Sequence, residues 1–243
     1  MKKLVTFSFT LVLFMSFSCP AQWGKRIKGN GNFITTSRTI NDYDAITLTG
    51  WFDVEIVDGN EGDITLEGEE NLLEYIKTEV KDGKLHIKSK NGVSLKPSFW
   101  NNGIKITVPV ESINAVTLTG SGNITGDKII KTTNFRTTMT GSGNITLAIE
   151  ATSTEANMTG SGNINLSGFS SSFNANIYGS GDIEAYKLEA NNVNAVVTGS
   201  ADIKVTAKET LKARVSGSGD INYQGNPKKV DTKSSGSGTI SKR

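Results

Sequence analysis

Apolar and polar positions alternate with a period of two through the C-terminal half of this sequence, and the alternation restarts about every twenty residues. A period of two is typical of a β-strand with one buried face, because successive side chains of a strand point to opposite sides. One apolar position holds isoleucine in all seven copies of the pattern. These isoleucines are Ile124, Ile145, Ile164, Ile183, Ile203, Ile221 and Ile240. The pattern therefore predicts a set of repeated, half-buried strands.

Each copy also carries a short glycine-containing motif, which reads Gly120-Ser121-Gly122-Asn123-Ile124 in the first copy. The first glycines of successive motifs are separated by 21, 19, 19, 20, 18 and 19 residues. They are Gly120, Gly141, Gly160, Gly179, Gly199, Gly217 and Gly236. A corner between two strands needs a positive φ or a close backbone approach, and glycine accepts both. We therefore interpret these glycines as structural positions of the repeat.

A unit of about twenty residues is too short to bury its own apolar face, so the copies must stack on one another. Stacking at the strand spacing of about 4.8 Å places equivalent side chains in columns that fill a continuous interior. The sequence thus predicts an all-β, single-stranded parallel β-helix, or β-solenoid, with about 20 residues per coil. An antiparallel sandwich is the alternative architecture. In the last copy Ser234, Thr239 and Lys242 break the core columns, as expected of a capping coil.

The N-terminal half departs from this regular pattern. Leu48-Thr49-Gly50 repeats the letters of Leu118-Thr119-Gly120, but Trp51 and Phe52 follow where serine and glycine stand in the later copies. We interpret this stretch as an atypical first coil, because a terminal repeat must close an otherwise open core.

An insert follows the first coil. Alternating apolar residues flank Lys81-Asp82-Gly83-Lys84, and Asp-Gly between two such runs favours a β-hairpin. Residues 69–74 predict one turn of helix, and residues 104–108 predict a further strand. The predicted organisation is a signal peptide over 1–21, a leader over 22–42 and a β-solenoid domain over 43–243, with 55–112 as the insert and 113–243 as the regular coils.

The first 21 residues have the pattern of a secretory signal: two lysines, an uncharged apolar run over 4–17, and then small residues. About fourteen apolar residues are too few to cross a bilayer, so we expect cleavage after Ala21 and export to the periplasm, the cell surface or the medium. Lipidation of Cys19 is the less favoured alternative. No later segment is apolar enough to form an integral membrane span.

Charge and residue types narrow the possible functions. Removal of Lys2 and Lys3 with the signal lowers the basic residues from 26 to 24, equal to the 24 acidic residues. A net charge of zero predicts no nucleic-acid partner. Cys19 is the only cysteine and His86 the only histidine, which argues against histidine-dependent nucleophilic triads and multi-histidine metal sites. We predict no catalytic residue, no cofactor and no enzyme activity.

One column of the repeat changes from asparagine to aspartate in the later coils. Asp182, Asp202 and Asp220 would stack on adjacent coils, close enough to share a cation. Asn and Asp also suit corners, because they tolerate left-handed backbone and bind local amides. Asparagine fills the same column in the earlier coils, so we favour the structural interpretation and treat the three aspartates as weak metal candidates only.

Four large aromatic residues fall at or beside the N-terminal end of the predicted solenoid: Trp51, Phe52, Phe99 and Trp100. As a cap they would bury the open core of the first coil, whereas as an exposed cluster they could stack on sugar rings or anchor a partner. We assign Trp51 and Phe52 to the cap. Phe99 and Trp100 are candidates either for the cap or for contact with a glycan or a cell-surface protein.

The repeated Gly-Ser-Gly-Asn/Asp-Ile motif, the signal peptide and Phe52-Asp53-Val54-Glu55 together resemble the bacterial family called putative auto-transporter adhesin, head GIN domain. The likeness covers residues 43–240. It implies a right-handed parallel β-helix in an exported protein, and the family name implies adhesion, although no residue roles come with it. The predicted function is an exported, non-enzymatic adhesin or envelope interaction protein. A carbohydrate-active β-helix protein, which binds or cleaves polysaccharide, is the alternative.

Overall fold

The computed structural model describes residues 24–99 and 103–243. Of the residues that the structure describes, 74% are in strands and 2% in helix, and they form a β-solenoid of about 7 turns with roughly 19 residues per coil, which confirms the predicted fold class. The helix α1 is Glu70–Leu73. The strands are β1 (Lys25–Lys28), β2 (Phe33–Thr39), β3 (Ala45–Gly50), β4 (Asp53–Asp58), β5 (Asp63–Glu69), β6 (Ile76–Lys81), β7 (Lys84–Ser89), β8 (Val93–Lys96), β9 (Lys105–Val110), β10 (Ala115–Gly120), β11 (Asn123–Gly141), β12 (Asn144–Gly160), β13 (Asn163–Gly179), β14 (Asp182–Gly199), β15 (Asp202–Gly217), β16 (Ile221–Gln224), β17 (Lys229–Gly236) and β18 (Ile240–Lys242).

The regular coils stack in parallel and in register. The repeated isoleucines pair from Ile124 in β11 through every coil to Ile240 in β18. All of them are fully buried except Ile240, which is half-buried at the C-terminal end of the stack. The column that the sequence predicted is therefore a continuous interior ladder, and it extends one coil further back, because Val54 of β4 pairs with Ile124.

Each coil has a second corner besides the glycine motif. In β12 every second residue is buried from Ile145 to Ala151, and then from Thr154 to Met158. The alternation shifts by one residue at Thr152 and Ser153, which lie between these two runs. A coil is thus two strand segments whose inward faces meet across the core.

The atypical first coil is confirmed. Strand β3 pairs in parallel with β10 over its whole length, from Ala45–Ala115 to Gly50–Gly120, and β4 pairs with the start of β11. Phe52 is only 1% exposed, so its ring fills the core of this coil where the later coils have glycine.

The insert closes the N-terminal end with antiparallel strands. The hairpin β6–β7 adds to β3, and its turn residues Asp82 and Gly83 have φ angles of 51° and 70°, as an Asp-Gly turn requires. Strand β9 pairs with β4 in parallel, and β5 and then β2 follow in antiparallel order. The solenoid therefore does not end on a bare coil.

Two strands lie ahead of the first coil, within the segment predicted as a leader. Strand β1 pairs in parallel with β8 of the insert, and β2 pairs in antiparallel order with β5. The only helix in the described part of the chain is a single turn, and nothing there could serve as a bilayer-crossing helix.

Candidate functional site

An open cavity of about 560 Å³ lies at the N-terminal end of the solenoid, and we call it the end cavity. It lies between the corner of the first coil and the segment that follows β8. Its described lining residues are Trp51, Lys96, Pro97, Ser98, Phe99, Gly103 and Ser121.

Phe99 is the most exposed large apolar side chain in the described part of the chain. Its exposed fraction is 68%, which does not fit a residue whose task is to cap the core. Apolar side chains that remain in water beside a cavity are typical of binding surfaces. Trp100, the other candidate predicted in this segment, lies outside the described residues.

Trp51 connects the end cavity to the core. Its ring centroid lies 5.0 Å from that of Phe52, with the two planes tilted by 54°. Phe52 is buried, whereas Trp51 is half-buried and also lines the cavity. Tilted rings at this distance attract one another, so Phe52 holds Trp51 in a defined position.

A buried carboxylate holds the segment that carries Phe99. Glu69 has no exposed surface, and its Oε1 accepts a hydrogen bond from the amide of Ser98 at 2.7 Å. Its Oε2 accepts a second one from the amide of Gly31 at 2.6 Å. Burial by itself would raise the pKa of the Glu69 carboxyl group, but these amide hydrogen bonds hold the pKa below its ordinary value of 4.5. Glu69 therefore stays ionised and ties two chain segments together.

Residues 24–32 form the other side of this support. The Asn71 side chain donates to the carbonyl oxygen of Lys28 at 2.8 Å and accepts from the amide of Asn30 at 3.0 Å. Gly29 packs so closely on Glu69 that a Cβ at that position would lie 2.1 Å from the carboxylate. The role of Glu69 was not predicted from the sequence. The only sequence signal for it was the glycine-rich run Gly29-Asn30-Gly31-Asn32, which lies against Glu69.

The three stacked aspartates lie far along the stack, in the corner column. Asp202 Oδ1 accepts a hydrogen bond from the amide of Asp220 at 2.8 Å, and Asp220 Oδ1 accepts one from the amide of Thr239 at 2.7 Å. Asp182 pairs with Asp202 in register. Among residues 24–99 and 103–243 no group of three or more His, Cys, Asp or Glu side chains could hold a metal ion. The two later aspartates thus use their carboxylates to bind the backbone of the next coil.

The asparagines of the same column form a ladder. Asn163 donates to Asn144 at 2.9 Å, Asn144 donates to Asn123 at 2.8 Å, and Asn123 donates to Asp53 at 2.7 Å. All three amides point toward the N-terminal end, and Asp53 accepts at its end. This ladder ties four coils together along one edge.

The first glycine of each motif has a positive φ and almost no space for a side chain. At Gly141 φ is +131°, and a Cβ would lie 2.1 Å from the carbonyl oxygen of Gly120 in the preceding coil. The other first glycines have the same geometry, with φ between +117° and +139°. The motif therefore lies at a corner with no room for a ligand between the coils.

Comparison with known proteins agrees with this architecture. A solved protein from Bacteroides fragilis NCTC 9343, described as a putative adhesin, is 25% identical, with a TM-score of 0.83 over 89% of this chain and 100% of that one. A protein from Parabacteroides distasonis ATCC 8503, described as a putative lipid binding protein, is 31% identical, with a TM-score of 0.76 over 90% of this chain and 100% of that one. A putative adhesin from Parabacteroides merdae ATCC 43184, at 23% identity and a TM-score of 0.72 over 90% and 99% of the two chains, shares the fold.

No curated protein matches the sequence. The family described as "Putative auto-transporter adhesin, head GIN domain" matches residues 42–227, most of the chain. The matched segment begins just before β3 and ends after β16, so it includes the insert and nearly all coils. The protein therefore belongs to the auto-transporter adhesin head GIN domain family.

Proposed function

We propose that this protein is exported and acts as an adhesin-like interaction protein, without catalysing a reaction. Its family and the structural relative described as a putative adhesin support this role. The proposed export begins with a signal peptide over 1–21, which lies outside the described residues, and cleavage after Ala21. Lipidation at Cys19 is the alternative, and mass analysis of the mature N-terminus distinguishes a free Gln22 from a diacylglyceryl cysteine.

The end cavity is the proposed ligand site, and the exposure of Phe99 is the observation that carries this proposal. A ring that is 68% exposed gains free energy when a ligand covers it, since burial of apolar area is favourable. Trp51 offers a second aromatic surface, and Lys96 adds a charged group at the same cavity. Flat apolar rings beside polar groups suit a sugar, which has an apolar ring face and a hydroxyl edge.

The test is attachment of the purified protein to a glycan array and to whole cells. We expect Phe99→Ala to weaken attachment about tenfold, because it removes one of two stacking surfaces. Phe169→Ala is the matched control, since Phe169 is also exposed but lies on a coil distant from the end cavity. Equal attachment of the wild type and Phe99→Ala, with unchanged melting temperatures, would contradict the proposal.

A lipid is the second candidate ligand for the same cavity. Trp51, Pro97 and Phe99 supply apolar lining, and the relative that is 31% identical is described as a lipid binding protein. Displacement of a fluorescent fatty acid from the wild type and from Phe99→Ala tests it. Binding that is lost with Phe99, together with no glycan attachment, would assign the cavity to lipids.

Carbohydrate cleavage is the competing enzymatic function. Asp182, Asp202 and Asp220 are its candidate acids, although the carboxylates of Asp202 and Asp220 are engaged with backbone amides. His86 lies on β7 opposite Glu79 of the neighbouring strand β6. Release of reducing ends from a polysaccharide panel, lost in Asp202→Asn, would overturn the non-enzymatic proposal.

A further inference from the structure

A second cavity lies on the side of the solenoid, and we call it the flank cavity. Its volume is about 480 Å³, and it spans three consecutive coils, β12 to β14. Its lining residues are Thr146, Leu147, Asn165, Leu166, Ser167, Glu184, Tyr186 and Lys187. It shares no lining residue with the end cavity.

A β-bulge lies at the flank cavity. Asn165 pairs with Glu184 and Ser167 pairs with Lys187, so Ala185 and Tyr186 stand opposite the single residue Leu166. A second register shift follows in β14 against β15, between Ala185 and Glu189. Bulges turn a side chain out of the regular alternation and recur next to binding sites. Here the alternation of buried and outward residues continues through Tyr186 and breaks at Lys187, so two successive side chains, Tyr186 and Lys187, lie outside the core and line the cavity.

The chemistry of the flank cavity matches a sugar ring. Tyr186 contributes an aromatic surface, and the buried side chains of Leu147 and Leu166 contribute an apolar floor. The Asn165 amide and the Glu184 carboxylate lie among these apolar groups, where they can bind hydroxyl groups. A few polar groups set in an apolar, concave surface are the usual composition of a small-ligand site.

The charges around the flank cavity favour an acidic ligand. Glu184 forms an ion pair with Lys204 on the next coil. Lys187 forms no ion pair with any residue that the structure describes, and it is exposed at the rim. The guanidinium group of Arg243 lies 5.8 Å from the centre of the Tyr186 ring and does not line the cavity. The lining carboxylate is therefore already paired, whereas the lining cation Lys187 is left for a ligand.

We propose that the flank cavity binds an acidic saccharide of the uronic acid type, with a sugar ring packed on Tyr186 and its carboxylate held by Lys187. A lysine ammonium group binds a carboxylate through charge-assisted hydrogen bonds. This site is additional to the end cavity and does not depend on the ligand proposed there.

The test is titration calorimetry of the exported chain with trigalacturonate, at low salt, and with the methyl ester of the same trimer. We expect the wild type to bind the acid more tightly than the ester. Tyr186→Ala should weaken binding of the acid about tenfold, because the stacking surface is lost, whereas Tyr186→Phe should keep most of it. Lys187→Met should remove the preference for the acid over the ester.

Tyr178→Ala is the matched control, because Tyr178 is an exposed tyrosine of the preceding coil that does not line the flank cavity. No binding of trigalacturonate by the wild type, equal binding of acid and ester, or equal losses in Tyr186→Ala and Tyr178→Ala would overturn the proposal. If Tyr186→Ala does not fold, Lys187→Met still decides, since its side chain is exposed. Phe99→Ala should leave this titration unchanged, which separates failure of this site from failure of the end cavity.

Discussion

At the scale of single residues, the corner glycines and Glu69 each occupy a local environment that other residue types would not fit. The corner glycines combine a positive φ with contact against the preceding coil. Glu69 is a buried charge that is stable only because two backbone amides donate to it. Each therefore allows a sharp prediction.

Gly141→Ala should lower the free energy of unfolding by about 3 kcal/mol, since it adds left-handed strain to a steric clash with Gly120. Gly62→Ala separates the two causes, because Gly62 has φ of +129° but nothing within 4 Å of the place that a Cβ would occupy. Its cost should be about 1 kcal/mol, from strain alone. Urea unfolding of both variants measures the difference, and equal costs would contradict the steric argument.

Glu69 should make the N-terminal end sensitive to acid. Its folded-state pKa is lowered, so its contribution to stability is present above the unfolded-state pKa, near 4.5, and is lost as the pH falls through the lower folded-state value. Melting temperatures of the wild type should therefore fall more steeply below about pH 4.5 than those of Glu69→Gln, which is less stable at neutral pH.

Glu74→Gln is the control for this pH profile, since Glu74 is exposed at the end of the same helical turn. A profile for Glu69→Gln that is parallel to the wild type would show that the Glu69 carboxylate does not hold the segment that carries Phe99.

At the scale of elements, the columns between coils carry the cohesion of the solenoid. Asn144 takes part in two hydrogen bonds of the asparagine ladder, one with each neighbouring coil. Inside the core, Thr154 stands between Phe135 and Phe173 in one column. We therefore expect the polar group of Asn144 to stabilise the protein and the hydroxyl group of Thr154 not to.

Asn144→Ala should cost about 1–2 kcal/mol of unfolding free energy, because it removes two half-buried hydrogen bonds and leaves Asn123 and Asn163 without them. Asn134→Ala, at an exposed residue between the two segments of its coil, should change stability by less than about 0.5 kcal/mol. Chemical denaturation measures both, and similar values would argue that the ladder adds nothing.

Thr154→Val should stabilise the protein by about 1 kcal/mol. Thr154 is completely buried, and its hydroxyl has no hydrogen-bond partner among the described residues, so the variant removes a desolvated polar group and keeps the shape. Thr152→Val, at the exposed corner of the same coil, should be close to neutral. A lower melting temperature for Thr154→Val would show that its hydroxyl contributes to stability.

At the scale of the whole molecule, the two ends of the solenoid are closed in different ways. The N-terminal end carries antiparallel strands and a helical turn, whereas all eight residues of β17 at the C-terminal end are exposed. Ser234 replaces an apolar core residue there, and its hydroxyl donates to the carbonyl oxygen of Gly238 at 2.6 Å. This polar closure agrees with the expectation of a capping coil, and the lysines of β17 discourage edge pairing.

Stability should therefore fall along the stack toward the C-terminus. In a solenoid each coil contacts only its neighbours, so a terminal coil opens more easily than a central one. Hydrogen exchange of the β17 amides should be at least about a hundredfold faster than that of β13. Uniform protection across the coils would instead indicate a fully cooperative molecule.

Much of the fold was predictable from particular residues. The isoleucine column, the corner glycines, the Asp82-Gly83 hairpin and the atypical coil at Trp51 all lie where the pattern placed them. Strand β1 and its pairing with β8 were not predicted, because nothing in a short, exposed segment such as Lys25–Lys28 identifies its partner. Of the residues in the two proposed sites and their support, Phe99 was named from the sequence, whereas Glu69 and Tyr186 were not.

The amino-acid sequence alone predicts the length of a coil and the residues of its interior, because strand alternation is local and every copy repeats the same pattern. The glycine corners and the isoleucine ladder follow from that repetition. Only the tertiary structure decides which irregular residues meet. Gly31 and Ser98 reach Glu69 from positions 38 and 29 residues away, and Lys187 joins Tyr186 at the flank cavity through a bulge that exists only relative to the neighbouring coil. Such contacts depend on how separate segments pack, and the period of the repeat does not determine that packing.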